Sequence, residues 1–79
     1  MDVRNMPFGE VAAPEADCIR LHLLGDGRVR LEGSALAGDE STTFFGQTLY
    51  ASEEEAEAAG LAWADEMGVQ TLYVSRLTE

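Results

Sequence analysis

The sequence predicts an α+β fold, a small antiparallel β-sheet in the order β-β-β-α-β with a single helix packed on one face. Three observations predict it. Apolar and polar residues alternate in several short segments, the period of a half-buried strand. One segment, Ser52 to Gly68, repeats instead at helical spacing. A length of 79 residues gives a core only just sufficient for one domain.

Residues 1–17 contain Pro7, Gly9 and Pro14 and keep no sustained period. They are expected to form an extended N-terminal arm, compatible with a short edge strand around Val3 to Phe8, ahead of a single α+β domain over residues 18–79. From Cys18 onward Ile19, Leu21 and Leu23 alternate with Arg20 and His22, and Val29 and Leu31 alternate with Arg28, Arg30 and Glu32. A two-residue turn at Asp26-Gly27 would set Leu23 against Arg30 and mix the faces. A three-residue loop with Gly27 left-handed pairs Leu23 with Val29, Leu21 with Leu31, His22 with Arg30 and Arg20 with Glu32, and keeps them clean. Gly33 to Glu40 reads as a turn region and Ser41 to Tyr50 as a third strand rich in Thr, Phe and Tyr, with Phe44 and Phe45 on opposite faces.

Ser52 with Glu55 three residues later is a capping box, Glu53 and Glu54 suit the first turn of a helix dipole, and Gly68 supplies the stop. At about 100° per residue Ala56, Ala59, Gly60, Trp63 and Met67 form the stripe expected to lie on the sheet. Val69 to Leu77 returns as the last strand.

Fifteen acidic residues against five arginines, with no lysine, give a formal charge of −10. Direct binding to nucleic acid or an anionic membrane needs the opposite surplus, so neither is expected. The single cysteine, Cys18, allows no intramolecular disulfide and no cysteine-based structural zinc site. The N-terminal segment lacks the basic start and apolar run of a signal peptide, and no stretch has the length of a membrane span. The expected setting is the cytoplasm.

Catalytic patterns are missing. Cys18 and His22 fall on the same face of one strand but about 13 Å apart by strand rise, too far for a nucleophile and base. Phosphate-binding loops, paired metal-ligand spacings and calcium-type acidic loops are absent from the sequence. No enzyme activity, metal or cofactor is therefore expected.

Charge distribution is the informative feature. Glu53, Glu54, Glu57 and Asp65 occupy one sector of the helix, Asp39 and Glu40 add charge in the preceding turn, and no cation stands anywhere on the helix to relieve them. Leu61 projects between Glu57 and Glu54 and is the candidate short-range anchor of an acidic contact patch. The second candidate surface is the opposite sheet face, carrying Arg20, His22, Arg28 and Arg30. It is open to local pairing, such as Arg20 with Glu32, to shielding by the acidic arm through Glu10, Glu15 and Asp17, or to weak dimerisation.

A tiny, strongly acidic single domain with three antiparallel strands, an acid-decorated helix and no catalytic set resembles the anti-CRISPR proteins of phages and prophages, most of all small inhibitors of type I-C systems. That resemblance implies a partner in the bacterial host, the RNA-guided surveillance complex Cascade. Its basic DNA channel would be occupied by carboxylates in place of phosphates. The order of strands followed by a Ser-Glu-Glu helix start and a final strand also resembles HicB-type antitoxin domains, which cover a small basic RNA-cleaving toxin.

Overall fold

The computed structural model describes residues 1–13, 16–37 and 40–78, without the side chains of residues 36–48. In chain order the elements are β1 (Asp2–Asn5), β2 (Cys18–Leu23), β3 (Val29–Ala37), β4 (Glu40–Tyr50), α1 (Glu53–Glu66) and β5 (Thr71–Thr78). The five strands form one sheet in the order β1-β5-β2-β3-β4, with α1 packed against it. This is an α+β fold.

The β2–β3 hairpin takes the register that keeps its faces clean: Leu23 opposite Val29, His22 opposite Arg30, Leu21 opposite Leu31 and Arg20 opposite Glu32. Gly27 makes this possible at φ +89°, a left-handed conformation in which a side chain would be strained. The backbone N–H of Arg28 donates to Asp26 Oδ1 at 3.0 Å and fixes the loop.

The region after Gly33 is strand rather than turn: β3 runs on to Ala37 and pairs with β4 as far as Glu40, with Ala35 buried. Small residues of low strand propensity hide that strand in the sequence, and the partner β4 supplies what they lack. Asp39 lies outside the described residues, as do the side chains of Glu40, Phe44 and Phe45; the register sets Glu40 opposite Ala37, Phe44 opposite Gly33 and Phe45 opposite Glu32.

The sheet is also mixed rather than antiparallel, because β5 lies between β1 and β2 and is parallel to both. The helix is the cause. A helix that runs back along the sheet returns the chain to the end where the preceding strand began, so β5 must run with β4, and β4 runs with β2 through antiparallel β3. The crossover from β4 to β5 moves across the sheet one way and the connection from β1 to β2 moves the other way. Both are right-handed only if they lie on opposite faces, which assigns α1 to one face and the β1–β2 connection to the other. Burial agrees. Cys18 and Ser75 belong to the face away from α1 by register, yet they are 2% and 0% exposed.

The core between α1 and the sheet contains Ile19, Leu21, Val29, Leu31, Ala35, Ala56, Ala64, Val69, Leu72 and Val74. Ser52 Oγ accepts from Glu55 N at 3.2 Å to cap α1, while the Glu55 carboxylate accepts from Ala51 N at 3.3 Å. Gly68, at φ +75°, turns the chain out of the helix. The residues of α1 that are fully buried are Ala56, Gly60 and Ala64. Ala59, Trp63 and Met67 pack partly buried at the flank. The inward centre is thus rotated toward Ala64 from the stripe expected, because small side chains let the backbone descend onto Ile19 and the bulky Trp63 is pushed aside.

Candidate protein-binding surfaces

The rotation of α1 decides which acids face solvent. Glu53 and Glu57 lie beside the buried row, within reach of Arg76, which register places opposite Leu21 and therefore on the face beneath the helix. The Arg76 guanidinium donates through Nε to Glu53, through one terminal nitrogen to Glu57 Oε1 at 2.7 Å, and through the other to Asn5 Oδ1 at 3.0 Å. One cation from β5 thereby ties β1 and α1 together and engages two of the acids expected on the binding surface. Leu61, expected to project among the acids, is half-buried against the core instead.

Glu54 and Asp65 do stand exposed, and Glu55 and Glu66 join them. At about 100° per residue these four carboxylates, with exposed Ala58 and Ala62 between them, share one outer arc of about 120°. The pair at the start of the helix and the pair at its end are separated by about 16 Å at 1.5 Å rise per residue. Glu55, already accounted for by its capping role, and Glu66, which borders a stripe centred too far toward Ala59, are the two exposed acids that the helical pattern alone does not single out.

The second surface is largely neutralised within itself. Arg20 on β2 bonds through Nε to Glu32 on β3, and its terminal nitrogen lies 3.5 Å from Cys18 Sγ. His22 Nε2 is 3.9 Å from the same Glu32 oxygen. Arg28, at the exposed end of the hairpin, donates through Nε to Asp26 Oδ2 at 2.7 Å. That bond holds the Asp26 carboxyl below its usual range and raises the Arg28 guanidinium. Arg30 stands exposed opposite His22. Of the arm residues expected to shield this face, Asp17 is half-buried, Glu10 is exposed and Glu15 lies outside the described residues. Among the described residues no group of three His, Cys, Asp or Glu side chains converges where a metal ion could sit. No helix among them is long and apolar enough to cross a membrane.

Cys18 gives a direct test of this face. Burial pushes its thiol above the ordinary value, and the nearby Arg20 only partly offsets that rise. A thiol that holds its proton more tightly when folded leaves stability intact below the unfolded pKa and costs stability as pH rises through and beyond it. Labelling by a thiol-specific disulfide reagent is therefore expected to be slow at neutral pH and fast in denaturant, with the melting temperature falling above about pH 9. Fast labelling of the folded protein at pH 7 would contradict the covered face. A Cys18→Ser variant is expected to lose the high-pH decline that the thiol causes.

No known protein family, curated protein or solved structure matches this chain. The class defined by its fold is a small α+β domain with one acidic helix face.

Proposed function

We propose that this protein is a phage- or prophage-encoded anti-CRISPR inhibitor that binds the type I-C Cascade surveillance complex and blocks recruitment of target DNA. The observation that carries this reading is the outer arc of α1: Glu54, Glu55, Asp65 and Glu66 are exposed and the helix contains no cation. Arg20, Arg28 and Arg76 bond to Glu32, Asp26 and the Glu53–Glu57 pair, so their charge is spent away from that arc. A channel that holds DNA presents cations spaced for phosphates, and a rigid helix with carboxylates at both ends offers an anionic competitor about 16 Å long. Long-range attraction speeds encounter and the flat Ala58–Ala62 strip lets a partner side chain lie close between the acids. The mode of action is binding, with no chemical step.

The deciding experiment is a mobility-shift assay with target DNA and purified type I-C Cascade, with and without this protein bound beforehand, at two salt concentrations. Loss of the DNA shift is expected, with inhibition weakening at higher salt. Replacing Glu54, Glu55, Asp65 and Glu66 together by Gln is expected to weaken binding by about 100-fold, equivalent to roughly 2.7 kcal/mol. An intact DNA shift and no co-migration with Cascade would overturn the reading.

A second reading is favoured by the order β2-β3-β4-α1-β5, which is the strand-helix-strand order of the HicB-type antitoxin domains that the chain resembles. The same acidic arc would then cover a small basic ribonuclease. Protection of RNA from a basic ribonuclease encoded beside this protein, with no effect on Cascade, would select that reading.

A further inference from the structure

β1 is an edge strand, with β5 on one side and nothing described on the other. Asp2 N donates to the Gln70 carbonyl at 2.8 Å and Met6 N to the Val74 carbonyl at 2.9 Å. Asp2, Arg4 and Met6 therefore turn their backbone groups toward β5. Strand alternation leaves the N–H and C=O of Val3 and Asn5 facing outward. Pro7, the next outward position, has no N–H and ends the bonding edge. Every residue of β1 is exposed, and of the large apolar side chains that stand exposed Met1, Val3, Phe8 and Val11 all belong to the arm.

We propose that two copies of this chain pair through β1, antiparallel about a two-fold axis that passes between Val3 and Val3 of the second copy. The backbone phase limits the choices, since only odd-numbered residues can exchange hydrogen bonds across this edge. If Val3 pairs with Met1 of the second copy, Asp2 faces Asp2. If Val3 pairs with Asn5, Arg4 faces Arg4. With Val3 opposite Val3, each Asp2 faces Arg4 of the other copy, and the opposite charges meet at the non-hydrogen-bonded positions where side chains come closest. The two valines meet on the α1 side, the side that register with Leu72 gives Val3. In a chain of net charge −10, the edge over Asp2–Asn5 carries one acid and one base and is locally neutral, so two copies can approach there without opposing their acidic helices. The result is one sheet continued across two molecules, with the outer arcs of both α1 helices left free. This inference does not depend on the Cascade reading, because it uses the opposite end of the sheet.

Sedimentation velocity over a wide concentration range is expected to show a weak monomer–dimer equilibrium. Asp2→Arg and Arg4→Glu are each expected to weaken it by about tenfold or more, since each replaces two attractive pairs with two repulsive ones. Mixing the two variants is expected to restore dimers, because each introduced charge then meets its opposite, and the double variant is expected to dimerise like the original chain. β1 is fully exposed, so circular dichroism should show all of these variants folded. A monomer at every concentration overturns the proposal. So does a dimer indifferent to both charge reversals, which would place the contact on another surface such as the β4 edge.

Discussion

Gly60→Leu is expected to destabilise the fold by about 3 kcal/mol or more, out of the roughly 4–12 kcal/mol that a chain of this size commands. The helix sits so low on the sheet at this point that even a Cβ would lie 2.5 Å from Ile19 Cδ1, 3.2 Å from Leu31 Cδ1 and 3.3 Å from Ile19 Cγ2. A whole leucine has no space except by lifting α1, which would uncover Ala56 and Ala64 and part of Leu72 and Val74. Alanine is a milder case in which two effects compete. Its helix propensity returns about 1 kcal/mol, while the contact with Ile19 costs about 1–3 kcal/mol, so a net loss of up to about 2 kcal/mol is expected. Ile19→Val removes the nearest methyl group, and the pair Gly60→Ala with Ile19→Val is therefore expected to be less destabilised than the two single losses added together. Urea unfolding followed by the fluorescence of half-buried Trp63 reads all of these. A Gly60→Leu variant as stable as the original would show that the helix does not seat on Ile19 as described.

The parts of this fold that local chemistry fixes were readable from the sequence. Strict alternation over Ile19–Leu23 and Val29–Glu32, with Gly27 as the one residue able to take the left-handed position, left a single register that kept apolar residues together, and the hairpin adopts it. The start and stop of α1 follow from Ser52 and Gly68 in the same way. What the pattern did not contain was the position of β5. Parallel pairing with β2 joins residues more than fifty positions apart and depends on the direction in which the helix returns the chain, a property of the whole topology. The inward face of α1 departs from the expected stripe for a different reason. Trp63 drew the stripe toward itself because it is the largest apolar residue, whereas close packing on a flat sheet selects the smallest residues for the centre and leaves the largest at the side. One signal was available. Arg76 continues the alternation of Leu72 and Val74, and a lone arginine in an otherwise apolar row calls for carboxylates on whatever covers it; Glu53 and Glu57, one turn apart, are those carboxylates. That pairing takes both off the candidate binding surface and leaves Glu55 and Glu66 among the acids that face solvent.

Arg76→Gln is expected to cost about 2 kcal/mol, more than the loss of any exposed ion pair on the molecule. The guanidinium is only 24% exposed and its three bonds reach two elements, so its removal acts on several groups at once. Charge-assisted bonds to Glu53 and Glu57 disappear, two carboxylates four residues apart are left facing each other without a cation, and Asn5 loses the side-chain bond that holds β1. The partly exposed carboxylates remain in contact with water, which is why the loss falls short of the 3–5 kcal/mol typical when a fully buried pair is broken. Adding Glu53→Gln and Glu57→Gln in the Arg76→Gln background is expected to recover most of the stability, because amides can bond to one another where carboxylates repel. Raising the salt concentration is expected to narrow the deficit of the single variant for the same reason. Hydrogen exchange at Met6 N and Gly9 N, whose bonds run to the Val74 and Arg76 carbonyls, should quicken more than exchange within β2, since the arm loses its side-chain anchor while the core strands keep theirs. By contrast, Glu54→Gln with Asp65→Gln is expected to change stability by less than about 0.5 kcal/mol, because both side chains stand in solvent. If Arg76→Gln cost no more than Glu54→Gln with Asp65→Gln, Glu53 and Glu57 would be as free as Glu54 and Asp65, and the division of the helix into an anchored edge and an outward acidic arc would fail.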